Sequence, residues 1–166
     1  MQRVLGIDPG TATTGYGVVE ETETGELRAL TYGTVTTTPD QPMAERLQVI
    51  HRELTELAQA WEPDVAAVEE IYFSVNVRTA MSVGQARGVA MLALADAGLP
   101  VSEYSPSAVK QALTGYGRAD KRQMQEMVRM LLGLAETPRP DDAADALAVA
   151  VCHIHSATLR SLERIA

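Results

Sequence analysis

Asp8 closes the first apolar stretch of the chain, Val4-Leu5-Gly6-Ile7, and Pro9-Gly10 stops that strand at once. A strand of this composition belongs in a core. A carboxylate at its last position costs several kcal/mol unless a hydrogen bond or a cation compensates it. One solution is local, an Asx-turn in which Asp8 bonds its own backbone just past the strand. The other is a cation, which calls for further carboxylates from distant parts of the chain, and three are available.

The remaining pattern is that of a mixed α/β domain. Residues 3–37 read as three antiparallel strands, the second over 15–19 and the third, rich in Thr and Val, over 27–37. The turn over 20–26 holds four glutamates and one glycine and is expected to be a solvated hairpin tip. The run Gly10-Thr11-Ala12-Thr13-Thr14-Gly15-Tyr16-Gly17 looks like a phosphate cradle, but it has no P-loop lysine and leads into a strand, so that motif fails. A helix follows Pro42, with Leu47, Ile50, Leu54 and Leu57 on one face, and Trp61-Glu62-Pro63 ends it. Residues 64–68 are almost continuously apolar, the mark of a strand covered on both faces, and they end in Glu69-Glu70.

A long helix is expected over 76–98, a strand over 101–104, a short helix to about 115 and another over 120–132. Pro138-Arg139-Pro140 sets off a last helix from 141 to about 157, with roughly the last eight residues expected to fray. Three antiparallel strands followed by strands alternating with helices give a five-stranded mixed sheet with helices on both faces. At 166 residues, 46% of them hydrophobic, one domain with a substantial core is expected.

Asp142 and Asp145 stand three apart near the start of the last helix, so they share a face. Acidic residues in a first turn suit the helix dipole, and Asp141 fits an N-cap. Asp145 does not, because it lies beyond the first turn between alanines, and an alanine-rich helix packs close to whatever it covers. Asp8, one of Glu69 and Glu70, Asp145 and one of Asp141 and Asp142 are therefore expected to meet; spacing does not choose within the two adjacent pairs. Clustered carboxylates repel and raise one another's pKa unless cations hold them together. An all-oxygen donor set favours Mg²⁺ or Mn²⁺, and a pair of such ions about 4 Å apart clamps both oxygens of a phosphodiester displacement. His51, His153 and His155 offer no zinc spacing.

The net charge of −8 argues against a nucleic-acid partner, but its distribution does not. Residues 72–139 carry 8 basic and 5 acidic side chains, against 4 and 13 in residues 1–71, and both lysines, Lys110 and Lys121, lie in the basic segment. Arg78, Arg118 and Arg122 belong to the same segment. In the long helix, Ala80, Gly84 and Gly88 fall four apart and leave a smooth stripe, for close packing either on the protein's own sheet or on a second helix. The single cysteine, Cys152, excludes an internal disulfide, and neither an apolar run of membrane-spanning length nor signal-peptide zones are present. A reduced, cytoplasmic setting is expected.

Gly6-Ile7-Asp8-Pro9-Gly10 with Thr14-Gly15-Tyr16-Gly17, Val68-Glu69-Glu70, Gly84-Gln85-Ala86-Arg87-Gly88, Val109-Lys110-Gln111 and Asp142-Ala143-Ala144-Asp145-Ala146-Leu147-Ala148 run in this order over nearly the whole chain. Together they resemble the RuvC family of bacterial Holliday-junction resolvases. The resemblance implies an RNase H-like fold, a homodimer, and Mg²⁺-dependent symmetric nicking of four-way DNA junctions that leaves 5′-phosphates. It also implies a junction branch-migration helicase complex as partner. It places the four metal-binding acids on Asp8, Glu69, Asp142 and Asp145, choosing Glu69 over Glu70 and Asp142 over Asp141. It places DNA-contacting lysines on Lys110 and Lys121, and a junction-inserting aromatic at Tyr72 or its neighbour Phe73. Two other classes compete. A sugar-kinase or actin-like ATPase would need a second similar domain, for which there is no room. A non-catalytic DNA-binding module of this fold would have lost a carboxylate. A processing RNase of the same fold is the nearest alternative.

Overall fold

The computed structural model describes residues 2–71 and 77–163. Its sheet has the order β3-β2-β1-β4-β5. The strands are β1 (Gln2–Asp8), β2 (Thr13–Glu21), β3 (Leu27–Thr36), β4 (Val65–Glu69) and β5 (Val101–Tyr104). β1 pairs antiparallel with β2 and parallel with β4, so the expected mixed sheet forms around the strand that ends in Asp8. The helices are α1 (Met43–Trp61), α2 (Val77–Asp96), α3 (Pro106–Thr114), α4 (Lys121–Leu131) and α5 (Asp141–Glu163).

Period-2 alternation along β1 divides the core into two layers. Leu5 and Ile7 point towards α1 and α2, where they meet Ile50, Leu54, Ala90 and Leu94. Val4 points to the other side, into a layer with Leu147, Val151, Val109 and Val128 from α5, α3 and α4. Asp8 shares the α5 side.

Glycines bring α5 onto that side at unusually close range. A Cβ on Gly6 would run into the Ala146 carbonyl, one on Gly15 into the Asp142 carbonyl, and one on Gly17 into the Leu147 side chain. Gly15 is the cross-strand neighbour of Asp8, so the helix turn that carries Asp142 rests directly beside Asp8. The glycines that failed as a phosphate cradle are thus the bed of a helix.

Three expectations need correction. Glu20 is not part of a solvated tip: it is 8% exposed and lies between Arg3 and Arg28 in the strand register, paired with them at 2.9 and 3.5 Å. Two flanking arginines make burial of the carboxylate tolerable. The last helix does not fray at 157 but continues to Glu163, since nothing between Ser156 and Glu163 breaks it. Asp141 is the first residue of α5 rather than its N-cap, and its carboxylate turns to Lys121 and Gln125 instead.

Candidate active site

Three elements deliver the four predicted carboxylates to one end of the sheet. Asp8 ends β1, Glu69 ends the neighbouring parallel strand β4, and Asp142 and Asp145 occupy the first turns of α5 above them. Burial, then the charges of Glu69, Asp145 and Asp142, push Asp8 up to about 8, and it donates a hydrogen bond to Glu69. Burial and the Asp145 charge likewise push Glu69 up to about 7, against the opposing pull of Asp8, Lys110 and Lys121. Asp145 is raised as well, by burial first and by Asp142 and Asp141, with Lys121 opposing. Asp8, Glu69 and Asp145 thus feel one another's charge, and that of Asp142, at this end of the sheet.

Lys121 is nearer the acids than a purely DNA-facing lysine would be. Its Nζ lies 3.2 Å from Asp141 Oδ2 and 3.6 Å from Asp145 Oδ2. Burial lowers its pKa, but the hydrogen bond to Asp141 and the charges of Asp145, Asp141 and Asp142 outweigh this and hold it above the usual lysine value. Lys110, from α3, lines the same cleft of about 240 Å³ with Glu69, Lys121 and Asp145. Glu70, one residue past β4, does not line it; its backbone N–H is taken by the Tyr104 carbonyl. The position of Lys121 had no local signal, because it depends on how α4 lies along α5.

The chemistry of the donor set fits a hard divalent cation: four partly buried carboxylates gathered at one end of the sheet. The side-chain positions are not those of a closed coordination sphere, since among the described residues no three potential ligands gather about one point. The Lys121–Asp145 pair takes up one of the oxygens that would serve.

A consequence for stability follows. Folding raises the Asp8 pKa from 3.8 to about 8, so across that interval the folded protein keeps a proton that the unfolded chain releases. Stability therefore falls as pH rises through the window. Chelator-treated protein should melt progressively lower from pH 4 to 8. Asp8→Asn should flatten that decline, and thermal unfolding over a pH series measures both.

Other predicted contacts are placed differently. Arg118 and Arg122 are exposed around the start of α4. Arg78 lies in the first turn of α2, with its side chain outside the described residues, where Tyr72 and Phe73 also lie. On α2, Ala86, Ala90, Ala93 and Leu94 are buried, whereas among the described residues a Cβ on Gly84 or Gly88 would meet nothing within 4 Å. The stripe with Ala80 therefore does not pack on the protein's own sheet. It lies among exposed Val77, Met81 and Leu92.

The family model for crossover junction endodeoxyribonuclease RuvC matches residues 4–153. A relative of that name from Chloroflexus aggregans is 61% identical over 155 residues, 93% of this chain and 94% of its own. Another, from Thermomicrobium roseum, is 55% identical over 162 residues, 98% of both chains. The structure of Thermus thermophilus RuvC in complex with a Holliday junction substrate superposes with a TM-score of 0.87 at 39% identity, covering 95% of this chain and 96% of that one. The yeast mitochondrial resolvase Ydc2, at 14% identity and a TM-score of 0.70, shares the fold.

Proposed function

The chain belongs to the RuvC family of crossover junction endodeoxyribonucleases, and on that premise we propose that it resolves four-way DNA junctions by paired symmetric nicks, with Asp8, Glu69, Asp142 and Asp145 as its metal-holding residues. The observation that carries the reading is the convergence of these four acids, from β1, β4 and α5, on one end of the sheet beside two lysines. The four acids would hold divalent cations, Mg²⁺ or Mn²⁺ and two per site, which would supply Lewis-acid chemistry for phosphodiester hydrolysis. The chain's own part is to hold the carboxylates together. Lys110 and Lys121 neutralise backbone phosphates entering the cleft. Arg78, Arg118 and Arg122 extend that basic surface, and Tyr72 or Phe73 inserts at the junction centre. The protein acts as a single domain in the cytoplasm, on recombination and repair intermediates, with a branch-migration helicase complex as partner. No helix among the described residues is long and apolar enough to cross a membrane.

A four-way junction has two-fold symmetry, and two cuts on opposed strands call for a C2 dimer. The stripe of Ala80, Gly84 and Gly88 is the surface we assign to it: backbone-close packing suits another helix, and exposed Met81 and Leu92 extend the apolar area. Since a Cβ on Gly84 meets nothing among the described residues, Gly84→Leu should still fold yet run as a monomer by light scattering, losing coordinated double cutting. A Gly84→Leu protein that stays dimeric would move the interface elsewhere.

The function is tested by offering the protein and Mg²⁺ a four-way DNA junction and a structured RNA side by side. Paired ligatable nicks in the junction with intact RNA are expected. RNA cleavage with an intact junction would make the chain a processing RNase of this fold.

A further inference from the structure

The segment that joins Asp8 to β2 is fastened by threonines to three other elements. Thr11 is 7% exposed and donates its hydroxyl to the Ser82 carbonyl of α2 at 2.6 Å, while its own carbonyl accepts the Thr37 hydroxyl at 2.6 Å. Thr37 Oγ1 in turn accepts from Arg46 Nε of α1 at 2.8 Å, and the Thr37 N–H donates to the Ala12 carbonyl at 3.0 Å. Within the segment, Thr14 Oγ1 donates to the Gly10 carbonyl at 2.7 Å. The Ser82 carbonyl belongs to a helix interior, where backbone N–H groups already serve as partners, so the extra bond is not needed to satisfy α2. It satisfies a buried hydroxyl, for which being left without a partner is unfavourable. The bond holds α2 and the Asp8 segment at a fixed separation.

We propose that Thr11 is a positioning residue for the cleavage reaction: through its bond to the Ser82 carbonyl it fixes the place of Asp8 against α2. The proposal rests on the reading of Asp8 as a metal-holding residue. Thr11 is three residues from Asp8; Pro9 has a fixed φ, and the Gly10 carbonyl is held by the Thr14 hydroxyl at 2.7 Å, so displacement of Thr11 is passed on to Asp8. A misplacement of about 1 Å in a catalytic constellation costs on the order of a hundredfold in rate. The same bond makes the geometry at Asp8 depend on α2, the helix that carries the small-residue stripe on its outer face.

The test compares Thr11→Val, which keeps shape and removes the hydroxyl, with Thr11→Ser, which keeps the hydroxyl. Three quantities are read on the full chain: Mn²⁺ affinity by calorimetry, and KM and kcat for junction cleavage. Thr11→Val should weaken Mn²⁺ binding several-fold and lower kcat by roughly tenfold or more, a tenth of the loss a full 1 Å error would cause, with KM unchanged. Thr11→Ser should match the parent protein in all three. A packing role alone would lower the melting temperature of both variants and leave Mn²⁺ affinity and kcat in place, which overturns the proposal. Should Thr11→Val not fold, Thr11→Ala takes its place against the same values, and if neither folds the residue is structural and the proposal falls. Asp8→Asn run alongside separates the two readings. Retained Mn²⁺ affinity in Asp8→Asn contradicts the metal site itself, whereas its loss there with normal Thr11→Val protein contradicts only the role of Thr11.

Discussion

Asp8→Asn, Asp142→Asn and Asp145→Asn should each abolish junction nicking while leaving junction binding close to that of the parent protein. Each substitution keeps the side-chain shape and removes one of the negative charges that converge between β1, β4 and α5. Lewis-acid stabilisation is worth several kcal/mol, so the loss of a ligand should cost about 3–5 kcal/mol in the barrier, or roughly 10²–10⁴-fold in rate. Binding is spared because the acids repel the phosphates that Lys110 and Lys121 attract. Asp141→Asn should be far milder: Asp141 is exposed, turned to Lys121 and Gln125, and held below the usual carboxylate range by the Lys121 hydrogen bond. Single-turnover cleavage and a gel-shift assay on one junction measure both quantities.

The second large effect lies in a residue with no side chain. Gly15→Ala should unfold easily and cut poorly, because the new methyl group would occupy the place of the Asp142 carbonyl and push the start of α5 off β2. Overpacking against backbone costs about 3 kcal/mol, which for a chain of this size lowers Tm by roughly 6–12 °C. The displacement also moves Asp142 away from Asp8, the cross-strand partner of Gly15, so nicking should fall by more than the loss of folded protein explains. Thermal unfolding and cleavage per folded molecule separate the two effects.

The fold was readable because each element announces itself locally. Val4 to Ile7 ends at Pro9-Gly10, the apolar run before Glu69 ends at the strand exit, and α1 repeats its leucines at helical spacing. The ends of β1, β4 and the start of α5 do come to one end of the sheet, as expected of carboxylates placed there, though spacing alone left Glu69 or Glu70 and Asp141 or Asp142 open. What stayed hidden depends on how elements lie against one another. Glu20 looked solvated because its two arginine partners come from flanking strands and meet it only in the assembled register. Lys121 looked like a DNA contact alone because its approach to Asp145 needs α4 to lie along α5. Gly15 and Gly17 were read only as part of a failed phosphate cradle, because nothing local says that α5 comes to lie against them.

Glu69 and Glu70 provide the most direct test, since they are adjacent, chemically identical and equally acidic in sequence. Only Glu69 lines the cleft with Lys110, Lys121 and Asp145. Mg²⁺-dependent nicking of a four-way junction should be lost in Glu69→Gln and retained in Glu70→Gln, with both variants binding the junction. Loss in Glu70→Gln with activity kept in Glu69→Gln would contradict the site.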